Sequence, residues 1–170
     1  MVLAVGDSVF AHSGFKPEHV YYGLEKINED VRDWLNGLGE NYMMKKFLRY
    51  ADVVVWMRDF SKDSMKKCDC LALELLLSTI SRARRMIMGH TIQENGISEA
   101  CESRVLRIDV GMLKGCGDRF SEVLEISKNS GLKVLTLNPF YWDKYLHSER
   151  KGGLGLLIPE QGPKQVEVKA

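Results

Sequence analysis

Four short apolar stretches in this chain run into residues able to hold a cation or an anion. Val9-Phe10-Ala11 leads to His12, Val53–Met57 to Arg58, and Met86-Ile87-Met88 to Gly89-His90. The fourth, from Val105, reaches Asp109 within Ile108-Asp109-Val110-Gly111. Short runs rich in β-branched and apolar residues read as strands. In open α/β sheets the loops beyond strand C-termini form the ligand crevice. The pattern therefore predicts a sheet whose strand ends face one common site.

The intervening segments supply the helices such a sheet needs. Val2–Val5, a Gly6-Asp7-Ser8 turn and Val9–Ala11 read as a hairpin. From Pro17 to Trp34, Val20, Leu24, Ile27, Val31 and Trp34 recur at three- and four-residue steps, which predicts one helix ended at the Gly37 and Gly39 pair. A short basic helix is expected over Tyr42–Tyr50, and a strand over Val53–Met57. Cys70–Ile80 reads as a leucine-rich helix whose Leu71–Leu77 stripe is expected in the core. Further strands are expected at Arg85–Met88, Val105–Val110, Val123–Ile126 and Leu132–Leu137. Strands alternating with helices, then several strands in a row, predict a layered α/β fold with mixed sheet.

His12 lies in Ala11-His12-Ser13-Gly14 and His90 in Met88-Gly89-His90-Thr91. Small neighbours let backbone and ligand approach each ring closely. Imidazole ligates zinc, manganese and iron, so two histidines in matching strand-end contexts point to a shared metal or phosphate site, although each alone also suits a structural hydrogen bond. Arg58 suits phosphate, because the guanidinium fork matches phosphate oxygens; pairing with Asp59 or Asp63 is its competing role. Asp109 is a candidate to orient a histidine from behind, or to cap the turn at Gly111. His19 and His147 lack such context and are expected at the surface.

Twenty-four basic against twenty-three acidic residues leave no net field to draw nucleic acid or an anionic membrane. Lys45-Lys46, Lys66-Lys67 and Arg82–Arg85 are expected on solvated faces. No apolar run approaches the roughly 20 residues that span a bilayer. The four cysteines, at 68, 70, 101 and 116, lack the usual two-residue gap of zinc or redox pairs and are expected reduced, in an intracellular, cytoplasmic chain. Glycines and prolines crowd the segment after residue 147, which predicts one domain over 1–147 and a flexible tail over 148–170.

Linked segments of the chain resemble the calcineurin-like metallophosphoesterases of the phosphoprotein phosphatase superfamily. Gly6–Phe15 resembles their strand and His-Gly-Gly loop, Val55-Trp56-Met57-Arg58 a tryptophan-x-arginine segment, and Met88–Gln93 their Gly-His-Thr motif. Arg107–Cys116 is similar to a stretch of the Shewanella-like protein phosphatases, and Glu18–Asn28 to their plant-type branch. The resemblance covers residues 1 to about 138 in order. It implies part of an α-β-β-α sandwich, and a two-metal site (manganese, iron or zinc) where an arginine helps to hold a phosphate that water attacks. It assigns His12 and His90 to metal, Arg58 to phosphate, and a phosphoprotein, phosphotyrosine proteins included, as substrate.

The family's Gly-Asp-x-His-Gly, Gly-Asp-x-x-Asp-Arg-Gly and Gly-Asn-His-Glu motifs do not occur in the sequence. Relative to the family, the N-terminal half and its metal ligands are therefore expected to be missing, and activity of this chain alone to be weak. Ser13 also stands where the family has glycine, which predicts a crowded loop. A catalytically silent binding or regulatory remnant of the fold is the alternative.

Overall fold

The computed structural model describes residues 1–38, 54–62, 68–127, 131–137 and 155–157. The chain divides into two compact units, Met1–Asp109 and Val110–Ala170.

The first unit is built on a five-stranded mixed sheet. Its strands are β1 (Val2–Val5), β2 (Ser8–Ala11), β3 (Arg85–Met88), β4 (Ser98–Ala100) and β5 (Val105–Arg107), in the spatial order β1-β2-β3-β5-β4. β1 and β2 form the expected antiparallel hairpin, with Gly6 at φ 62° in the turn. The central strands β2, β3 and β5 run parallel, with Ala11 opposite Met88 and Met88 opposite Arg107. β4 closes the far edge antiparallel to β5. Asp7 ties the hairpin to β3, since its carboxylate receives an Arg85 guanidinium N–H at 3.0 Å.

Three helices supply apolar side chains to one core. The predicted Pro17–Trp34 helix is two, α1 (Pro17–Tyr22) and α2 (Leu24–Leu35). Gly23, at φ 107°, breaks them, a conformation that side-chain-bearing residues rarely adopt. The apolar period continues through the break, so periodicity alone could not find it. α2 buries Ile27 and Val31, and its Asn28 brackets the backbone of Val2. Val2 N–H donates to Asn28 Oδ1 at 2.9 Å, and Asn28 Nδ2 donates to Val2 C=O at 2.7 Å. The amide thereby satisfies an edge strand that would otherwise offer open hydrogen-bonding groups.

α3 (Cys70–Ser78) begins at Asp69, whose carboxylate accepts the Ala72 N–H at 3.0 Å in the usual N-cap manner. It buries Leu73, Leu76 and Leu77, while Leu71 and Leu75 are 80% and 63% exposed. The leucine stripe is thus core on one face only, because a helix turns 3.6 residues per turn and cannot bury every leucine in a continuous run. Val9, Met86 and Val105, register partners on one sheet face, join this core with Phe15, Val54, Met57 and Phe60.

Among its described residues the second unit holds a 3₁₀ turn at Lys114–Cys116 and a three-stranded sheet. β6 (Glu122–Ser127) pairs antiparallel with β7 (Gly131–Thr136), and β8 (Gly155–Leu157) pairs parallel with β7. The division after Asp109 falls inside residues 1–147, read from the sequence as one domain, and Gly155–Leu157, in the segment read as a tail, forms β8. Pairing to a distant strand edge satisfies the backbone of a glycine-rich stretch and leaves no local sequence signature.

Candidate functional site

The parallel centre of the first sheet aims three loops at one edge. His12 follows β2 by one residue, His90 follows β3 by two, and Asp109 follows β5 by two. Neighbouring strands lie about 4.8 Å apart. The His12 and His90 ring centroids are 4.9 Å apart at 57°, one strand spacing carried out into side chains.

Local backbone geometry turns the rings toward each other. His90 has φ 68°, a left-handed conformation uncommon for a residue with a side chain and often concentrated at functional sites. Gly89 N–H donates to His12 C=O at 3.0 Å, Ile108 N–H to Met88 C=O at 2.8 Å, and Gln93 N–H to Asp109 C=O at 2.8 Å, so all three loops are stitched. Gly14, at φ 105°, sits tightly: a Cβ there would meet Met88 Cε at 3.0 Å and Met57 Cε at 3.4 Å.

Ser13 does not crowd the loop as the resemblance implied. It is fully buried, and its hydroxyl donates to Val54 C=O at 2.5 Å, joining the His12 loop to the segment that carries Arg58. That segment is not the expected strand: among its described residues, Val54–Trp56 form a turn. The β-branched run instead drops Val54 and Met57 into the core and leaves Trp56 and Arg58 outward. Val54 and Met57 lie three residues apart, a spacing that a turn places on one side and the two-residue alternation of a strand does not. Trp56 packs edge-on against His90, ring centroids 5.2 Å apart at 79°.

His90 is held well toward its neutral form. Burial depresses its pKa below the ordinary 6.5, and the charges of His12 and Arg58 push the same way; only Asp109 opposes them. Arg58 and Asp109 therefore both lie within electrostatic reach of the ring. Of the four residues singled out from the sequence, His12 and His90 stand ring to ring, and Arg58 and Asp109 act on His90 electrostatically.

The sequence did not single out Gln93 or Ser61 for this site. Gln93 is fully buried and donates from Nε2 to Ser61 C=O at 3.1 Å and to Thr91 C=O at 2.8 Å, while Ser61 and Thr91 share a hydroxyl hydrogen bond of 2.7 Å. They fix the loop beyond His90 against the Arg58 segment; a glutamine just past a Gly-His-Thr string was the available signal. His19, expected at the surface, is fully buried, and its Nδ1 accepts the Lys16 N–H at 2.9 Å to cap α1. His147 and the Tyr42–Tyr50 helix lie outside the described residues.

The geometry fits part of a metal site. His90 Nε2 is buried and meets no hydrogen-bond partner among the described residues, and the His12 ring stands beside it. Among the described residues, no third histidine, cysteine or carboxylate oxygen comes close enough to complete a cluster of three with them.

Fold and site together define a class: a mixed α/β frame with parallel and antiparallel strands, consistent with a phosphatase-like fold of partial size. No protein-family model matches the chain. It is 53% identical over 172 aligned residues, 99% of this chain and 44% of the relative, to Shewanella-like protein phosphatase 2 of Arabidopsis thaliana. An uncharacterized protein of Schizosaccharomyces pombe is 31% identical over 126 residues, 72% of this chain and 36% of that one. The chain thus spans less than half the length of these curated relatives. Among solved structures, a cold-active protein tyrosine phosphatase superposes with TM-score 0.53 at 19% identity, over 66% of this chain and 33% of that one. The cold-active protein-tyrosine phosphatase of a psychrophilic Shewanella species gives TM-score 0.53 at 18% identity, over 76% and 38%. Among the described residues, no helix is long and apolar enough to cross a membrane.

Proposed function

We propose that this chain is the C-terminal part of a metal-dependent phosphoprotein phosphatase of the Shewanella-like group, with His12 and His90 as ligands of one divalent ion and Arg58 as the phosphate-binding residue. The supporting observation is the pairing of the two imidazoles at 4.9 Å, with a buried Nε2 on His90 that meets no partner among the described residues. When bound, a divalent ion supplies charge neutralisation at a phosphoryl group and a more acidic water.

This chain's own residues have separable roles in that reading. His90 is held toward its neutral form, as a metal ligand must be, because burial first, and then the electrostatic influence of His12 and Arg58, disfavour its protonation. The Arg58 guanidinium offers a planar fork to phosphate oxygens. Trp56, stacked edge-on, restricts the His90 ring. The 53% identity to a named protein phosphatase makes a phosphoprotein the proposed substrate, and the likeness in fold to tyrosine phosphatases makes phosphotyrosine the side chain to test first.

A second reading, a silent binding remnant, is favoured by the ligand set. Two imidazoles without a third close ligand among the described residues fall short of the three or four protein ligands that metal sites generally use. One experiment addresses both: metal content and hydrolysis of p-nitrophenyl phosphate and a phosphotyrosine peptide, with added manganese, for the chain and for His12→Ala, His90→Ala and Arg58→Ala. The phosphatase reading expects bound metal lost in both histidine variants and turnover lost in all three. Metal and inorganic phosphate bound without turnover support the remnant. Metal content unchanged by either histidine substitution would sink both assignments of the crevice.

A further inference from the structure

The expectation of reduced, unpaired cysteines is overturned in the first unit. Cys70 opens α3 behind the Asp69 cap, and Cys101 follows β4 in the tight turn to β5. Cys101, Glu102 and Ser103 in that turn all have positive φ, at 54°, 58° and 61°. The fold brings the Cys70 and Cys101 Cα atoms to 5.4 Å, and a disulfide joins them across a separation of 31 residues. No spacing rule reveals this pair, because it depends on where the α3 N-terminus meets the β4–β5 turn.

A third sulfur completes the group. Cys68 is a free, half-buried thiol whose Sγ lies 3.4 Å from Cys101 Sγ, and all three sulfurs lie within 4.8 Å of one another. Arg107 reaches this cluster from β5. It is 1% exposed, and its Nε donates to Phe60 C=O at 2.7 Å. Both terminal nitrogens are buried without a nitrogen or oxygen partner among the described residues, and the Cys68 thiol is the group they face. Its charge bears directly on the Cys68 thiol, lowering a pKa that burial, the larger effect, raises. A buried guanidinium is costly unless an anion faces it. A neutral thiol and a disulfide do not supply one.

We propose that Cys68, Cys70 and Cys101, once the Cys70–Cys101 bridge is reduced, form a three-thiolate site for a thiophilic divalent cation of the zinc class, with Arg107 as its charge partner. Thiolate is the ligand such cations select. Metal–sulfur bonds of about 2.3 Å in a tetrahedral arrangement hold sulfurs about 3.8 Å apart. The Cys68–Cys101 distance is already near that, and reduction frees Cys70 and Cys101 to separate. Three thiolates around a divalent ion leave one surplus negative charge, and one guanidinium cancels it. The half-exposed side of Cys68 leaves the fourth coordination position to water.

Bridge and cation exclude each other on the same sulfurs. Opening the bridge takes two electrons and two protons from a small thiol reductant, which ends as its own disulfide. Cation binding then releases one proton from each of the three thiols. The site depends on none of the crevice residues.

The test uses the whole chain and cobalt(II), then zinc(II) as competitor, with the sulfur-to-cobalt charge-transfer absorption as readout. After reduction, one cobalt per chain is expected to bind with that absorption and to be displaced by zinc. Oxidised protein should show none. Cys68→Ser and Cys101→Ser should abolish it, and Arg107→Met should weaken binding roughly 10- to 100-fold, the usual penalty for losing a group behind the ligands. His12→Ala and His90→Ala should leave it intact. Cys68→Ser retains the disulfide, so its oxidised form reports folding by circular dichroism. Absence of the absorption in reduced, folded protein overturns the proposal, as does its persistence in Cys68→Ser. Unfolding of the chain on reduction alone also overturns it, and unchanged affinity in Arg107→Met removes Arg107 from it.

Discussion

The buried hydroxyl of Ser13 donates to the carbonyl of Val54, 41 residues away in sequence, and so fastens the His12 loop to the segment that carries Arg58. Ser13→Ala strands a buried carbonyl without its donor. It should destabilise the fold by about 1–3 kcal/mol, read from urea denaturation midpoints. A change within error would mean that the carbonyl is satisfied without the serine.

Burial, His12 and Arg58 set the protonation of His90. In metal-free protein its imidazole should titrate below 6.5 by proton NMR, and Arg58→Ala should move the midpoint upward. The stability consequence has a definite sign. With the folded pKa depressed, the unfolded chain takes up the proton first as pH falls through about 6.5. This histidine therefore contributes a loss of stability on acidification below that value, and nothing above it. A midpoint at or above 6.5 contradicts the electrostatic picture of the crevice.

Gly14 combines φ 105° with two methionine methyl groups at 3.0 and 3.4 Å from where a Cβ would stand. The methionine ends can move aside, so backbone strain dominates. Gly14→Ala is expected to lower stability by roughly 1–3 kcal/mol in thermal or chemical denaturation. Wild-type stability in this variant would show that the loop has another conformation open to it.

The Asn28 amide carries both hydrogen bonds at the Val2 end of the sheet edge. Asn28→Ala should cost about 1–3 kcal/mol and raise the tendency to aggregate, because it uncovers an edge strand. Denaturation together with light scattering checks both parts. Unchanged stability and scattering would show that the edge needs no such cover.

Much of the framework was legible in the residues. The Gly6-Asp7 hairpin, the β3 run and the β6 and β7 strands were read correctly to within a residue or two. Strand-end positions for His12 and His90 followed from where each apolar run stops. Among the features that were not legible are the break at Gly23, the turn in place of a strand at Val54–Trp56, and the burial of His19. Each satisfies the same local apolar pattern as its alternative, and packing against distant elements chose between them.

The sequence by itself determined several of the strands and helices and the polar groups at their ends, since those depend on near neighbours, alternation and turn chemistry. Tertiary structure alone decided that β2, β3 and β5 lie side by side and parallel, so that His12 and His90 meet. It also decided that Cys68, Cys70, Cys101 and a buried Arg107 converge. Strand order and long-range closure are chosen by the total burial of the whole domain, a quantity that no short window of residues contains.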